Sequence, residues 1–260
     1  MVHGDRGQDA DRRIVDHIGG IQPAAEAGFK AVEFLFPYDH EAAEIRNELV
    51  HFGLELALFN LPPGNWQAGD RGLAALPERR DEFRRSLDIA FTYAEALECR
   101  RLHVMAGVLD ARHGPAICRE TLLDNLALAA DRAAAAGFQL LLEPLNSRDV
   151  PGYFYSHTGQ AVDVIMALGR DNVKLQLDLY HRQVMEGNLI TALHEHSSLI
   201  GHVQIAGVPG RHEPGCGEIN YPAIFRALDE IGYGGFVGCE YHPENGTETG
   251  LGWASAYLSG

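Results

Sequence analysis

The sequence predicts an α/β fold: a TIM (β/α)8 barrel with a degenerate or replaced first strand. Three observations carry that prediction. Short apolar runs alternate with helix-like segments seven times along the 260 residues. Four of the runs deliver an oxygen-bearing side chain at or near their C-terminal end: Glu143 in LLLEPLN, Asp178 in LQLDLYH, Gln204 in HVQIAG and Glu240 in GFVGCEY. These four lie 35, 26 and 36 residues apart, about one strand–helix unit each, so they fit four consecutive strands. In a barrel the C-terminal ends of neighbouring strands converge on one mouth, whereas an open sheet spreads them along an edge. An open dinucleotide-binding sheet would also show a GxGxxG turn after an early strand, and none follows one here.

In chain order, strand-like runs fall at 30–36, 54–60, 101–107, 138–145, 173–180, 200–206 and 235–241. Most are short and continuously apolar, as parallel strands buried on both faces should be. Helical spacing and good helix formers occupy 39–52, 78–97, 116–136, 158–168 and 220–231. Gly53, Gly137, Gly169 and Gly232 sit where a left-handed C-cap would end four of these helices. Residues 1–20 are polar and rich in Asp, Arg and Gly, and within them only Ile14-Val15 reads as strand. We therefore expect one domain over 1–260 with an atypical N-terminal segment, 1–20, whose residues 1–12 are loosely attached.

A chain that is 46% hydrophobic and 22% charged can bury a full core. No apolar run approaches the length of a membrane span, and MVHGDRGQDADRR lacks the apolar stretch of a signal peptide. A soluble, cytoplasmic protein with no membrane partner is expected. Cys99, Cys118, Cys216 and Cys239 show no metal-knuckle spacing, and reduced thiols are expected. The formal charge of −15 repels phosphate backbones, so nucleic acid is not an expected partner. A homo-oligomer is compatible with the sequence.

Three carboxylates and an amide oxygen converging on one site need a cation, because like charges in contact would otherwise force at least one pKa far upward. Hard oxygen ligands suit Mg²⁺ or Mn²⁺ better than zinc, which favours His and Cys. Any one of these acids alone is more often an ordinary strand-end or helix-capping residue. Four at like positions favour the site.

The chain also resembles a known family. GFKAVEFLFPYD (28–39), FNLPPGNWQAGDRG (59–72), LLLEPLN (140–146), LQLDLYH (175–181), HVQIAGVPGRHEPGCGEINY (202–221) and GFVGCEY (235–241) are similar to hydroxypyruvate isomerases, members of the xylose-isomerase-like barrels. The resemblance implies a divalent-metal barrel that interconverts hydroxypyruvate and tartronate semialdehyde through an enediolate. It implies Glu143, Asp178, Gln204 and Glu240 as metal ligands, with Glu143 and Glu240 as the acid/base pair. By the same resemblance His181 is a substrate-binding histidine. Arg211 can pair with a substrate carboxylate, or equally with Glu213 at the surface. Close relatives isomerise 2-oxo-tetronate, so that substrate, another small sugar acid, or a catalytically weak metal-binding barrel stand as alternatives. Phe59 and Gly207 occupy positions where relatives carry a histidine and an aspartate, which would remove polar groups near the mouth. His202 reads as a core histidine, His194 and His196 as exposed, and Trp66 as a roof over the pocket or as packing for its own loop.

Overall fold

The computed structural model describes residues 20–110 and 112–258. Among them seven strands form one sheet: β1 Ala31–Phe34, β2 Glu55–Asn60, β3 Arg101–His103, β4 Gln139–Leu142, β5 Val173–Asp178, β6 Ile200–Ile205 and β7 Val237–Cys239. Each pairs with the next in chain order, and every pairing is parallel. The uninterrupted apolar reading of these strands has its reason here, since Leu140, Leu141 and Leu142 are all fully buried. Helices cover the outside of the sheet: α1 Ile21–Glu26, α2 Ala42–Phe52, α3 Arg80–Ala96, α4 Pro115–Ala136, α5 Thr158–Leu168, α6 Leu179–Met185, α7 Leu189–Glu195 and α8 Tyr221–Glu230. The helices α2, α4 and α5 end on Gly53, Gly137 and Gly169 with φ of 66°, 74° and 57°, the left-handed region that glycine enters without a Cβ penalty.

The strands are shorter than the apolar runs that announced them. Beyond His103, for example, the amide of Val104 still donates to Leu141 O, but the chain then leaves the sheet to build the mouth. Helices α1 and α6 have no counterpart in the sequence reading. The reason is clearest for α6, which begins directly on the last strand residue: Asp178 ends β5 and caps the helix through Oδ1, accepting from the Tyr180 amide at 2.7 Å. With no loop between them, seven residues of helix merge with the apolar strand pattern.

The sheet curls until β1 faces β6 and β7. The Glu33 carboxylate on β1 reaches His202 and Gln204 on β6, passing over Gly238 on β7, where a Cβ would overlap it. The result is a nearly closed barrel. Between β1 and β7 lies an apolar cavity of about 500 Å³ lined by both strands, α8 and Trp253. The expected strand at Ile14-Val15 and the loosely attached residues 1–12 lie outside the described residues. No helix among the described residues is long and apolar enough to cross a membrane.

Candidate active site

The topology sets the four oxygen-bearing residues on neighbouring strands at one end of the barrel. Glu143 directly follows β4, Asp178 ends β5, Gln204 lies in β6 opposite Asp178 in register, and Glu240 directly follows β7. All four are at least nine-tenths buried. Glu143, Gln204 and Glu240 line an inner cavity of about 20 Å³, room for about one water-sized particle. Above it opens a cavity of about 360 Å³ lined by Leu145, Val150, Tyr180, His181, Arg211 and His242, all from the segments that leave the strand ends.

Arg211 is not a surface partner of Glu213. It is buried, and its guanidinium lies 3.3 Å from Asp178 Oδ2 and 3.1 Å from Glu240 Oε1, while Nε donates to the Glu240 carbonyl at 3.2 Å. The ring of Tyr180 lies under it at 4.8 Å. Glu213 instead accepts from the Glu244 amide and helps hold the loop. Burial works to lower the Arg211 pKa, yet Glu240, Asp178 and Glu143 raise it, so the cation is retained.

One guanidinium does not neutralise three carboxylates. Burial, with Glu240 and Asp178 beside it, holds the Glu143 carboxyl well above its usual range. Burial pushes Asp178 up to about 6 against the opposing pull of Arg211. Glu143 Oε1 is buried and has no hydrogen-bond partner. A cation satisfies both demands, and the donors present suit one: ligand atoms of Glu143, Asp178 and His181 all lie within 4.8 Å of one another.

The histidine belongs to that cluster in space but is poised as a donor. The Asn146 amide donates to His181 Nδ1 at 3.1 Å, so in the neutral ring the hydrogen sits on Nε2. Burial, reinforced by the Arg211 charge, holds its pKa well below the ordinary value and keeps the ring neutral. Its Nε2–H points between Asp178 Oδ2 at 3.6 Å and Glu143 Oε1 at 3.9 Å.

Four further residues of the site carry no sequence reading. His103 on β3 places Nδ1 3.1 Å from Asn60 Oδ1 and 3.5 Å from Glu143 Oε2, and burial pushes its pKa down to about 4. Gln176 on β5 donates to Gln204 Oε1 at 2.6 Å, and Glu33 accepts from Gln204 Nε2 at 2.9 Å. The available signal for His103 was a polar ring inside the third apolar run, in register with Asn60 at the end of the second. Glu33 lies mid-run in KAVEFLF, where a charge inside an apolar strand is the signal.

Phe59 does not face the mouth. It is fully buried, edge-on to Tyr38, on the strand face opposite Leu58 and Asn60. Gly207 is packed against the carbonyls of His212, Glu213 and Cys216, where a Cβ would collide. His202 is a buried partner of Glu33, as a core histidine should be, and His194 is exposed beside Glu230. Trp66 packs its own loop, edge-on to Phe36 with the Arg71 guanidinium 3.7 Å over its ring.

Comparison with known proteins agrees with the fold. Residues 21–257 match the family described as xylose isomerase-like TIM barrel. A 2-oxo-tetronate isomerase of Cupriavidus necator is 51% identical over 90% of both chains. A hydroxypyruvate isomerase of Escherichia coli is 41% identical over 93% of this chain and 94% of its own. A crystal structure from Brucella melitensis, described as an AP endonuclease of family 2, superposes with a TM-score of 0.90 at 49% identity, over 92% of this chain and 93% of that one.

Proposed function

We propose a reaction for a chain that belongs to the xylose isomerase-like TIM barrel family and is an isomerase of small sugar acids: the interconversion of hydroxypyruvate and tartronate semialdehyde by proton transfer between neighbouring carbons. The observation that carries this reading is the buried convergence of Glu143, Asp178 and Glu240 beneath a cavity bearing Arg211 and a donor histidine.

Glu143, Asp178, Gln204 and Glu240 would hold Mg²⁺ or Mn²⁺, which when bound stabilises negative charge on the substrate oxygens. Arg211 binds the substrate carboxylate through its planar fork. His181 donates Nε2–H to a substrate oxygen and, being neutral, does not compete for the cation. One carboxylate of the Glu143 and Glu240 pair removes a proton from the hydroxymethyl carbon. The electron pair becomes the new C=C bond of an enediolate, and a proton returns to the adjacent carbon while the oxygen on the first carbon becomes the aldehyde. The net change moves one carbon-bound and one oxygen-bound hydrogen, with no external oxidant.

A second reading, the same proton shift on four-carbon 2-oxo-tetronate, is favoured by the identity to the Cupriavidus necator relative and by a mouth cavity of about 360 Å³. The net charge of −15 speaks against DNA as substrate, whatever the Brucella melitensis structure is called. Cytoplasmic residence is part of the proposal. A proton NMR time course with each keto acid, with and without chelator, tests all of it. Conversion of hydroxypyruvate that stops on chelation and returns with Mn²⁺ is the expected result, and conversion of neither acid in the presence of metal defeats the reading.

A further inference from the structure

The interior below the carboxylates is polar. Gln176, His202 and Gln204 project from β5 and β6, all at least nine-tenths buried, and Glu33 reaches them from β1. Barrel interiors are normally filled by branched apolar side chains. A carboxylate among them is costly unless it does something specific.

The contacts form a directed chain: Gln176 Nε2 donates to Gln204 Oε1, Gln204 Nε2 donates to Glu33 Oε2, and His202 Nε2 meets Glu33 Oε1. An amide can present either end to a neighbour, so the two glutamines alone could run in either sense. Only a carboxylate is restricted to accepting. It therefore decides which end of Gln204 faces it, and with that which end faces away. With Glu33 in place, the Gln204 oxygen points away from β1, and one of its lone pairs remains after Gln176 is served. Were both amides reversed, an NH₂ group would stand where an oxygen ligand is needed.

We infer that Glu33 is a positioning residue that fixes the orientation of the Gln204 amide and so presents its oxygen to a divalent cation. Gly238 is part of the device, since only a residue without Cβ lets the Glu33 side chain pass over β7. This inference rests on the reading of Gln204 as a metal ligand.

The test is Mn²⁺ affinity, read from the electron paramagnetic resonance of free Mn²⁺ and so independent of turnover. Glu33→Met and Glu33→Gln keep nearly the same volume, and only the glutamine retains an acceptor; His202 can then accept, because its Nδ1 is otherwise unpartnered. Glu33→Met should weaken Mn²⁺ binding roughly 10- to 100-fold, the usual worth of a residue that orients a ligand. Glu33→Gln keeps an acceptor but can also turn its NH₂ toward Gln204, so it should lose some affinity, less than Glu33→Met. In a Gln204→Ala background the same Glu33→Met change should cost nothing further, since its effect is routed through Gln204. Circular dichroism checks the fold, and if Glu33→Met does not fold, Glu33→Asp, whose carboxylate is drawn back by one methylene, takes its place with the same expected direction. Unchanged Mn²⁺ binding, equal losses in the Met and Gln variants, or a full further loss in the Gln204→Ala background overturns the inference while wild-type binding leaves the metal reading intact. A wild-type protein that binds no Mn²⁺ overturns both.

Discussion

The Asn146 backbone amide donates to Nδ1 of His181 at 3.1 Å, which leaves the ring hydrogen on Nε2 and, on the proposed reading, makes a histidine lying among carboxylates a donor rather than a metal ligand. A side chain of the wrong tautomer cannot ligate through Nε2. His181→Leu should therefore lower kcat by roughly 10²-fold, the scale of losing one donor to a developing oxyanion, while Mn²⁺ affinity changes little. A collapse of metal binding in that variant would show that the imidazole is a ligand after all.

On the proposed reading, Glu240→Gln keeps the size and one oxygen but removes the base. Turnover should fall by roughly 10²–10⁴-fold with a smaller change in substrate affinity. Metal occupancy has to be measured alongside, because a lost ligand imitates a lost base. Turnover near the wild-type level with metal bound would take the proton transfer away from Glu240.

In deuterated water the product should carry deuterium on the carbon that receives the proton, since a carboxylate exchanges with solvent while it holds the proton. A hydride shift between carbons would leave that position unlabelled. Mass spectrometry of the product after a single turnover distinguishes the two.

His103 makes a pH prediction. Its folded pKa of about 4 lies below the ordinary 6.5, so between those values the unfolded chain binds the extra proton. The stability it contributes is fully present above 6.5 and is lost as pH falls through 4, to a total on the order of 3 kcal/mol. Denaturant unfolding of His103→Asn should show a correspondingly flatter acid limb than wild type. Identical slopes would mean that the ring finds a partner for its charged form.

Gly238→Ala places a methyl against the Glu33 carboxylate. We expect a loss of about 1–3 kcal/mol of stability, as forcing a methyl into a close contact costs, together with weakened Mn²⁺ binding. Wild-type stability in this variant would show that Glu33 has room to retreat.

The strand–helix alternation, the glycine stops after α2, α4 and α5, and the carboxylates at strand ends were legible because each depends on neighbours within a few residues or on one strand–helix repeat. Burial of both faces makes parallel strands apolar without alternation, and an acid at the end of such a run stands out. Tertiary structure alone decided the rest. The contacts that give Glu33 its role join it to residues 169 and 171 positions away, and the tautomer of His181 depends on an amide 35 positions before it. Phe59 and Gly207 looked like losses at the mouth, but one faces the helices and the other is packed against carbonyls. Which way a side chain points, and which of its two polar ends is free, follows from curling a sheet until side chains of β1 reach β6 across β7, and no local pattern in the chain encodes that approach.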